Sequence, residues 1–183
     1  MNRNEAYQLM TEWTQSESLR KHMLCVETAM RSYAQKYHED EELWGITGLL
    51  HDFDYERYPD APDHPLKGSE ILQEKGYPEI VRTAILGHAD YTKVPRETML
   101  AKTLFACDEL CGFIVACTLV KPDKKVASVE VSTVKKKMKD KGFARNVSRE
   151  DIINGAAEIG VTLDEHVQFV IDSLRNNAAS LGL

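Results

Sequence analysis

DEELWGITGLLHDFD, residues 40–54, is the stretch whose reading decides the fold. Asp40 is a helix N-cap residue, and the apolar run behind it ends at His51-Asp52. DFDYERYPDAPDHP follows, a loop by its prolines and aspartates. Neighbouring side chains on a regular helix diverge by roughly 100°. His51 and Asp52 therefore serve one centre only where the turn loosens, and the end of this helix provides that. Gly45 and Gly48 lie on the preceding turns and leave room for close approach. A carboxylate at position 52 is also able to bridge two ions, with one oxygen on each.

Outward from this pair, His22 lies upstream, and His64, His88 and Asp108 lie downstream. The set spans 87 residues and uses four of the six histidines in the chain. These are donors of the kinds that hold divalent metals, and the pattern predicts a two-metal site. Asp108 falls in an apolar stripe with Ala101, Leu104, Cys111 and Val115. A buried aspartate is costly without a partner, and a metal ion is such a partner. Taken alone, Asp108 reads more simply as a rim carboxylate or one paired with a lysine or arginine. His22, one turn before Val26, and His88, behind Val81, Ala84 and Ile85, also face inward. Each alone reads as a hydrogen-bonded core histidine. Six together make that the weaker account.

Nearly everything else reads as helix, so the expected fold class is all-α. Asn4 caps a first helix through Gln15, and Ser16 opens a long one with the stripe Leu19, Met23, Val26, Met30, Tyr33. Pro65 starts a helix that ends at Gly76, with His64 in its cap region, and Pro78 starts the next. Residues 96–120 form a long helix stopped by Pro122. SVEVSTVKKKMKDKG is a basic amphipathic helix. Ser148-x-x-Asp151 and Thr162-x-x-Glu165 open the last two, near 149–159 and 163–179. The expectation is one domain over 1–183, with a metal-bearing core at about 16–121 and a helical extension at about 122–183.

The 183 residues are 43% hydrophobic and 28% charged, ordinary for a globular protein. Charges break every apolar stretch well before a membrane span's length. The polar N-terminus lacks a signal peptide's apolar core, so the expected location is cytoplasmic. Cys25, Cys107, Cys111 and Cys117 read as small buried residues of a reducing compartment rather than metal or redox groups. The net charge of −6 argues against non-specific nucleic-acid binding. Residues 121–149 nevertheless carry ten Lys/Arg against three Asp/Glu. Lys135, Lys136, Lys137, Lys139, Lys141 and Arg145 read as a solvated face over Val131, Val134 and Met138, in preference to a phosphate-binding lid. The oligomeric state stays open.

The joint motif resembles the HD superfamily of metal-dependent phosphohydrolases. LRKHMLCVE, GLLHDFD, HPLKGSEIL, ILGHAD and ACDEL carry the likeness, over about residues 16–121. GLLHDFDYERYP and the KKKMKDKGFA segment are similar to those of small stand-alone HD hydrolases. The chain departs from better-known branches. Phe53-Asp54-Tyr55 stands where HDIG proteins have Ile-Gly-Lys, and Tyr55 where the nucleotidases have glutamate. Ala89-Asp90-Tyr91 follows His88 in place of a Gly-Tyr-Pro. The resemblance implies a helical bundle in which His22, His51, Asp52 and Asp108 hold one ion. His64 and His88 complete a second, with Asp52 bridging. Two divalent ions (Fe, Mn, Co, Ni, Zn or Mg) are the implied cofactors, and a small phosphorylated metabolite or nucleotide the implied partner.

Asp52 and Lys67 are the expected catalytic residues. Lys67, beside a helix N-terminus, is the first candidate for contact with phosphate, although a plain surface lysine fits equally. Arg57, with Asp54 and Glu56, lies on the loop after the pair and meets substrate or stays solvated. Two alternatives accompany the hydrolase reading: a mixed-valent di-iron oxygenase of the same superfamily, and a metal-stabilised binding module without turnover.

Overall fold

The computed structural model describes residues 2–183. Ten α-helices and two short 3₁₀ turns make up its regular structure, and the described residues contain no strand. Asn2, not Asn4, caps α1 (Arg3–Trp13), because Glu5 three residues on closes a capping box with it. Ser16 caps the long α2 (Glu17–Tyr37), and His38 ends it in the left-handed region at φ 59°. Asp40 accepts from the backbone N–H groups of Glu42 and Leu43 and starts α3 (Glu41–Leu50). A Cβ on Gly48 would lie 3.0 Å from both Glu27 N and Val26 O, so α2 and α3 touch backbone to backbone there. The bare glycine allows the approach that brings His22 and His51 onto facing walls.

The loop after α3 leads into α4 (Asp63–Glu74), which is kinked at His64 and Pro65; regular helix starts one residue later than expected, at Leu66. Pro78 precedes α5 (Glu79–Gly87). The central α6 (Met99–Leu119) starts three residues later than residue 96. Thr98 is its cap, and the Arg96 side chain is held by Gly87 O, Asp90 and Glu158. Val126–Ser128 forms a 3₁₀ turn, followed by a short α7 (Val131–Met138). Then come α8 (Arg149–Glu158), α9 (Leu163–Asn176) with its complete Thr162–Glu165 capping box, and α10 (Ala178–Leu181).

α6 is the axis of the core, packed by α2, α5, α8 and α9. Leu104, Cys107, Leu110, Cys111 and Ile114 on it are fully buried. All four cysteines are buried and unbridged, as small apolar residues should be. Trp13 packs against the core and Trp44 lies within it. His166 of α9 ties three helices together. Its Nε2 lies 2.8 Å from Ala106 O, which only accepts, so Nε2 carries the hydrogen and Nδ1 accepts from Tyr33 Oη at 2.6 Å. Burial pushes His166 down to about 4, which keeps this neutral tautomer in place. Val134 of α7 is buried, while Lys135 and Lys136 on this helix and Lys139 and Lys141 beyond it face solvent as a charged surface. Lys135 pairs with Asp164 at 2.7 Å. No helix among the described residues is long and apolar enough to cross a membrane.

Candidate metal centre

Five helices and the loop after α3 deliver the six expected donors to one place. His22 comes from the second turn of α2, Asp108 from the middle of α6, His51 from the end of α3, and Asp52 from the loosened turn beyond it. His64 sits in the kink of α4, and His88 caps the C-terminus of α5. The donor atoms fall into two groups that share Asp52: His22, His51, Asp52 and Asp108, and then Asp52, His64 and His88.

In the first group His22 Nε2 lies 3.0 Å from Asp108 Oδ1 and 3.1 Å from His51 Nε2. His51 Nε2 lies 3.3 Å from Asp108 Oδ1 and 3.4 Å from Asp52 Oδ2. In the second, the other oxygen of Asp52, Oδ1, lies 3.3 Å from His64 Nε2 and 3.4 Å from His88 Nε2. One carboxylate thus turns one oxygen to each group.

The outer nitrogens of three rings are fixed by acceptors. His51 Nδ1 donates to Gly48 O at 2.8 Å, His88 Nδ1 donates to Ile85 O, and His64 Nδ1 donates to Asp54 Oδ1 at 2.8 Å. Each bond sets a tautomer whose Nε2 lone pair faces inward, the usual outer-shell arrangement of a metal-binding histidine. His64 Nε2 and His88 Nε2 then face each other at 3.3 Å, with Asp52 Oδ1 beside both. With the rings neutral these are three acceptors side by side, and they call for a cation, a proton or a metal ion. Edges of 3.0–3.4 Å are what ligands at about 2.1 Å from a zinc-sized ion span. The residues present fit a pair of metal ions.

The electrostatics make the same demand. Burial opposes charge on His51, but Asp52 and Asp108 outweigh it and raise its pKa well above the usual value. Burial opposes charge on Asp52 and Asp108 too, yet their imidazole neighbours hold both low, Asp52 well below the usual carboxylate range. His64 is opposed by burial and raised, to about 9, by its hydrogen bonds to Asp52 and Asp54. Positive charge at this centre is favoured, whether it comes from protons or from metal ions.

The four remaining candidates each have a partner within the protein. The anion at the start of α4 is the protein's own. Asp54 is buried rather than solvated, and its Oδ2 accepts from Gly68 N at 2.7 Å. A Cβ on Gly68 would stand 2.7 Å from Asp54 Cγ, so the glycine makes room for the carboxylate. Lys67 does not line the cavity; its Nζ pairs with Glu70 Oε2 at 3.0 Å on the exposed side of α4. Arg57 also turns away. It lies 3.9 Å over the Trp13 ring and donates to Glu12 O at 2.9 Å, pinning α1 to the loop. Glu56 accepts from Gln15 N and Ser16 N and so holds the entrance to α2.

Other residues stand where those were expected. A cavity of about 500 Å³ opens over the centre, and Tyr55, Asp90, Tyr91, Glu109 and Asp151 are among its walls. Tyr91 Oη donates to His64 O at 2.5 Å. Burial, reinforced by Asp108 next to it, pushes the Glu109 carboxyl up to about 8. Glu109 was within reach of sequence reasoning as the immediate neighbour of Asp108. Asp151 was visible only as part of a cap, and Tyr91 carried no sequence signal.

An HD-domain model matches residues 19–112, more than half of the chain and all six of these donors. The protein belongs to the HD-domain family. No curated protein and no solved structure gives a match. The HD domain is followed by further C-terminal helices, and its two His/Asp clusters are positioned to coordinate divalent metal ions jointly, as in a two-metal HD active site. The arrangement is consistent with a metal-dependent hydrolase.

Proposed function

We propose that the protein is a phosphohydrolase that cleaves a phosphate ester of a small metabolite with water. The observation that carries this reading is the division of Asp52, one oxygen toward each cluster, beneath an open cavity. In this reading His22, His51, Asp52 and Asp108 hold one ion, and His64, His88 and Asp52 hold the other, within a single domain spanning 1–183. Bound divalent ions supply an acidified water and neutralise charge gathering on a phosphoryl group. The chain's own contribution is orientation. Gly48 O, Ile85 O and Asp54 lock three imidazoles, so little reorganisation accompanies the reaction. Asp52, which touches both clusters, is the catalytic carboxylate.

A panel of phosphomonoesters and diesters, assayed with Mn²⁺, Co²⁺, Fe²⁺, Ni²⁺ and Mg²⁺, tests the proposal. Turnover with at least one metal is expected, together with two metal equivalents per chain. Asp52→Ala and His51→Ala should each lower kcat/KM by at least about 10³-fold while circular dichroism is retained. Absence of turnover across the panel defeats the reading. The nitrogen-rich donor set also suits iron, which favours a di-iron oxygenase as the second reading. A silent panel combined with an Fe(II)/Fe(III) spectroscopic signature after anaerobic purification is its expected result.

A further inference from the structure

A second cavity, of about 530 Å³, adjoins the one over the metal centre and shares His22, Tyr55 and Gly112 with it. Its character differs. Leu19 of α2, Val115 of α6 and Pro59 of the loop supply its apolar walls, with Ser16, Ser18 and Glu56 around them. Its volume lies in the range of small-molecule sites, and it leads directly from His22. Among the described residues, no lysine or arginine lines either cavity. The wall over the centre instead carries Asp90, Glu109 and Asp151 besides Asp52 and Asp108. Asp90 pairs with Arg96 at 2.6 Å, which Glu158 shares, and Glu109 and Asp151 are the remaining outer carboxyls.

We propose that the substrate is a phosphomonoester whose alcohol carries an alkyl or aryl group, with the phosphate over Asp52 and the apolar group between Leu19 and Val115. This rests on the phosphohydrolase reading and narrows it. Two divalent ions outweigh Asp52 and Asp108, and the excess of positive charge attracts a phosphate-ester dianion. A second anionic group would lie against the apolar wall or the Glu109–Asp151 side of the first cavity, and among the described residues no lysine or arginine lines either cavity to receive it. Discrimination against nucleoside di- and triphosphates follows. An apolar group that leaves water for the second cavity gains affinity in proportion to the area covered.

Calorimetric titration of the Mn²⁺-loaded protein with three non-hydrolysable phosphonates tests this. 2-Phenylethylphosphonate is expected to bind at least tenfold more tightly than methylphosphonate, and 2-carboxyethylphosphonate more weakly than either. In Val115→Glu, and independently in Leu19→Gln, the ratio of the first two affinities should fall to near one. Two variants from different helices guard against a misfolded one. Methyl and 2-phenylethyl phosphate, whose leaving alcohols are of similar acidity, provide the matching turnover comparison. Turnover of both esters with equal phosphonate affinities, or tightest binding of the carboxyethyl compound, overturns the inference alone. No phosphonate binding and no ester turnover overturns the phosphohydrolase reading and this inference with it.

Discussion

At the scale of single residues, the centre depends on groups that never face the cavity. Asp54 is one: its two oxygens accept from His64 Nδ1 and Gly68 N, so it fixes the His64 ring to the start of α4. An asparagine of the same shape has one oxygen acceptor instead of two and must leave one of those hydrogens unmatched. Asp54→Asn is therefore expected to weaken the His64–His88 cluster about 10–100-fold in metal affinity, and to leave the His22–His51–Asp108 cluster nearly unchanged. Metal titration followed by mass-spectrometric counting should show one tight and one weakened equivalent. Two undiminished equivalents would mean that His64 needs no such support. His22, His88 and Asp108 were legible in the sequence because polar residues stood on inward helix faces, where burial demands a partner, and His51, Asp52 and His64 because they stood at helix ends in the pattern those three share. The part played by Asp54 was not, since a loop has no periodicity to show which way a side chain points. The partners of Lys67 and Arg57 were hidden for a similar reason. A nearby carboxylate on α4 took the first and a tryptophan on α1 took the second, and neither capture is written in the local pattern.

At the scale of elements, helix existence and order followed from apolar spacing, and the starts of α1 and α6 moved through capping chemistry. Asn2 and Asn4 are equal cap candidates by type; Glu5, placed to answer only Asn2, decides between them. α6 begins at the residue after Thr98 because the preceding Arg96 is engaged elsewhere. What spacing could not show is how tightly the C-terminal helices bear on the metal-bearing ones. A Cβ built on Gly155 of α8 would stand 2.5 Å from Ala106 Cα, so α8 and α6 meet backbone to backbone two residues from Asp108. Gly155→Ala gains about 1 kcal/mol of helix propensity, but the overlap costs about 1–3 kcal/mol because Ala106 is backbone in a central helix and cannot swing aside. A net loss of about 0–2 kcal/mol in urea unfolding is expected, with weakened metal binding through the shifted α6. An increase in stability would mean that α8 is free to slide and is no part of the core.

At the scale of the whole molecule, the core is joined to the extension by a buried imidazole that must stay neutral. His166 accepts from Tyr33 and donates to Ala106 O, which links α9 to α2 and α6, and burial holds its pKa at about 4. In the unfolded chain the same group titrates near 6.5. Above that value both states are neutral and the folded state keeps its full stability. As pH falls below it, the unfolded chain takes up a proton that the folded one refuses, and stability is lost until the folded pKa is reached. Between pH 7 and pH 4.5 the loss from this group is about 2.5 kcal/mol. Other groups titrate over the same range, including those of the metal centre, so a variant is the proper reference. Glutamine at 166 retains an N–H for Ala106 O and an oxygen for Tyr33 Oη but has no proton to gain. His166→Gln should therefore be less stable than the parent at pH 7, where one imperfect geometry replaces another. It should lose about 2.5 kcal/mol less than the parent on acidification to pH 4.5. Urea unfolding at the two pH values measures both numbers, and parallel losses in parent and variant would mean that His166 is protonated within the fold, with the Tyr33–His166–Ala106 link already broken.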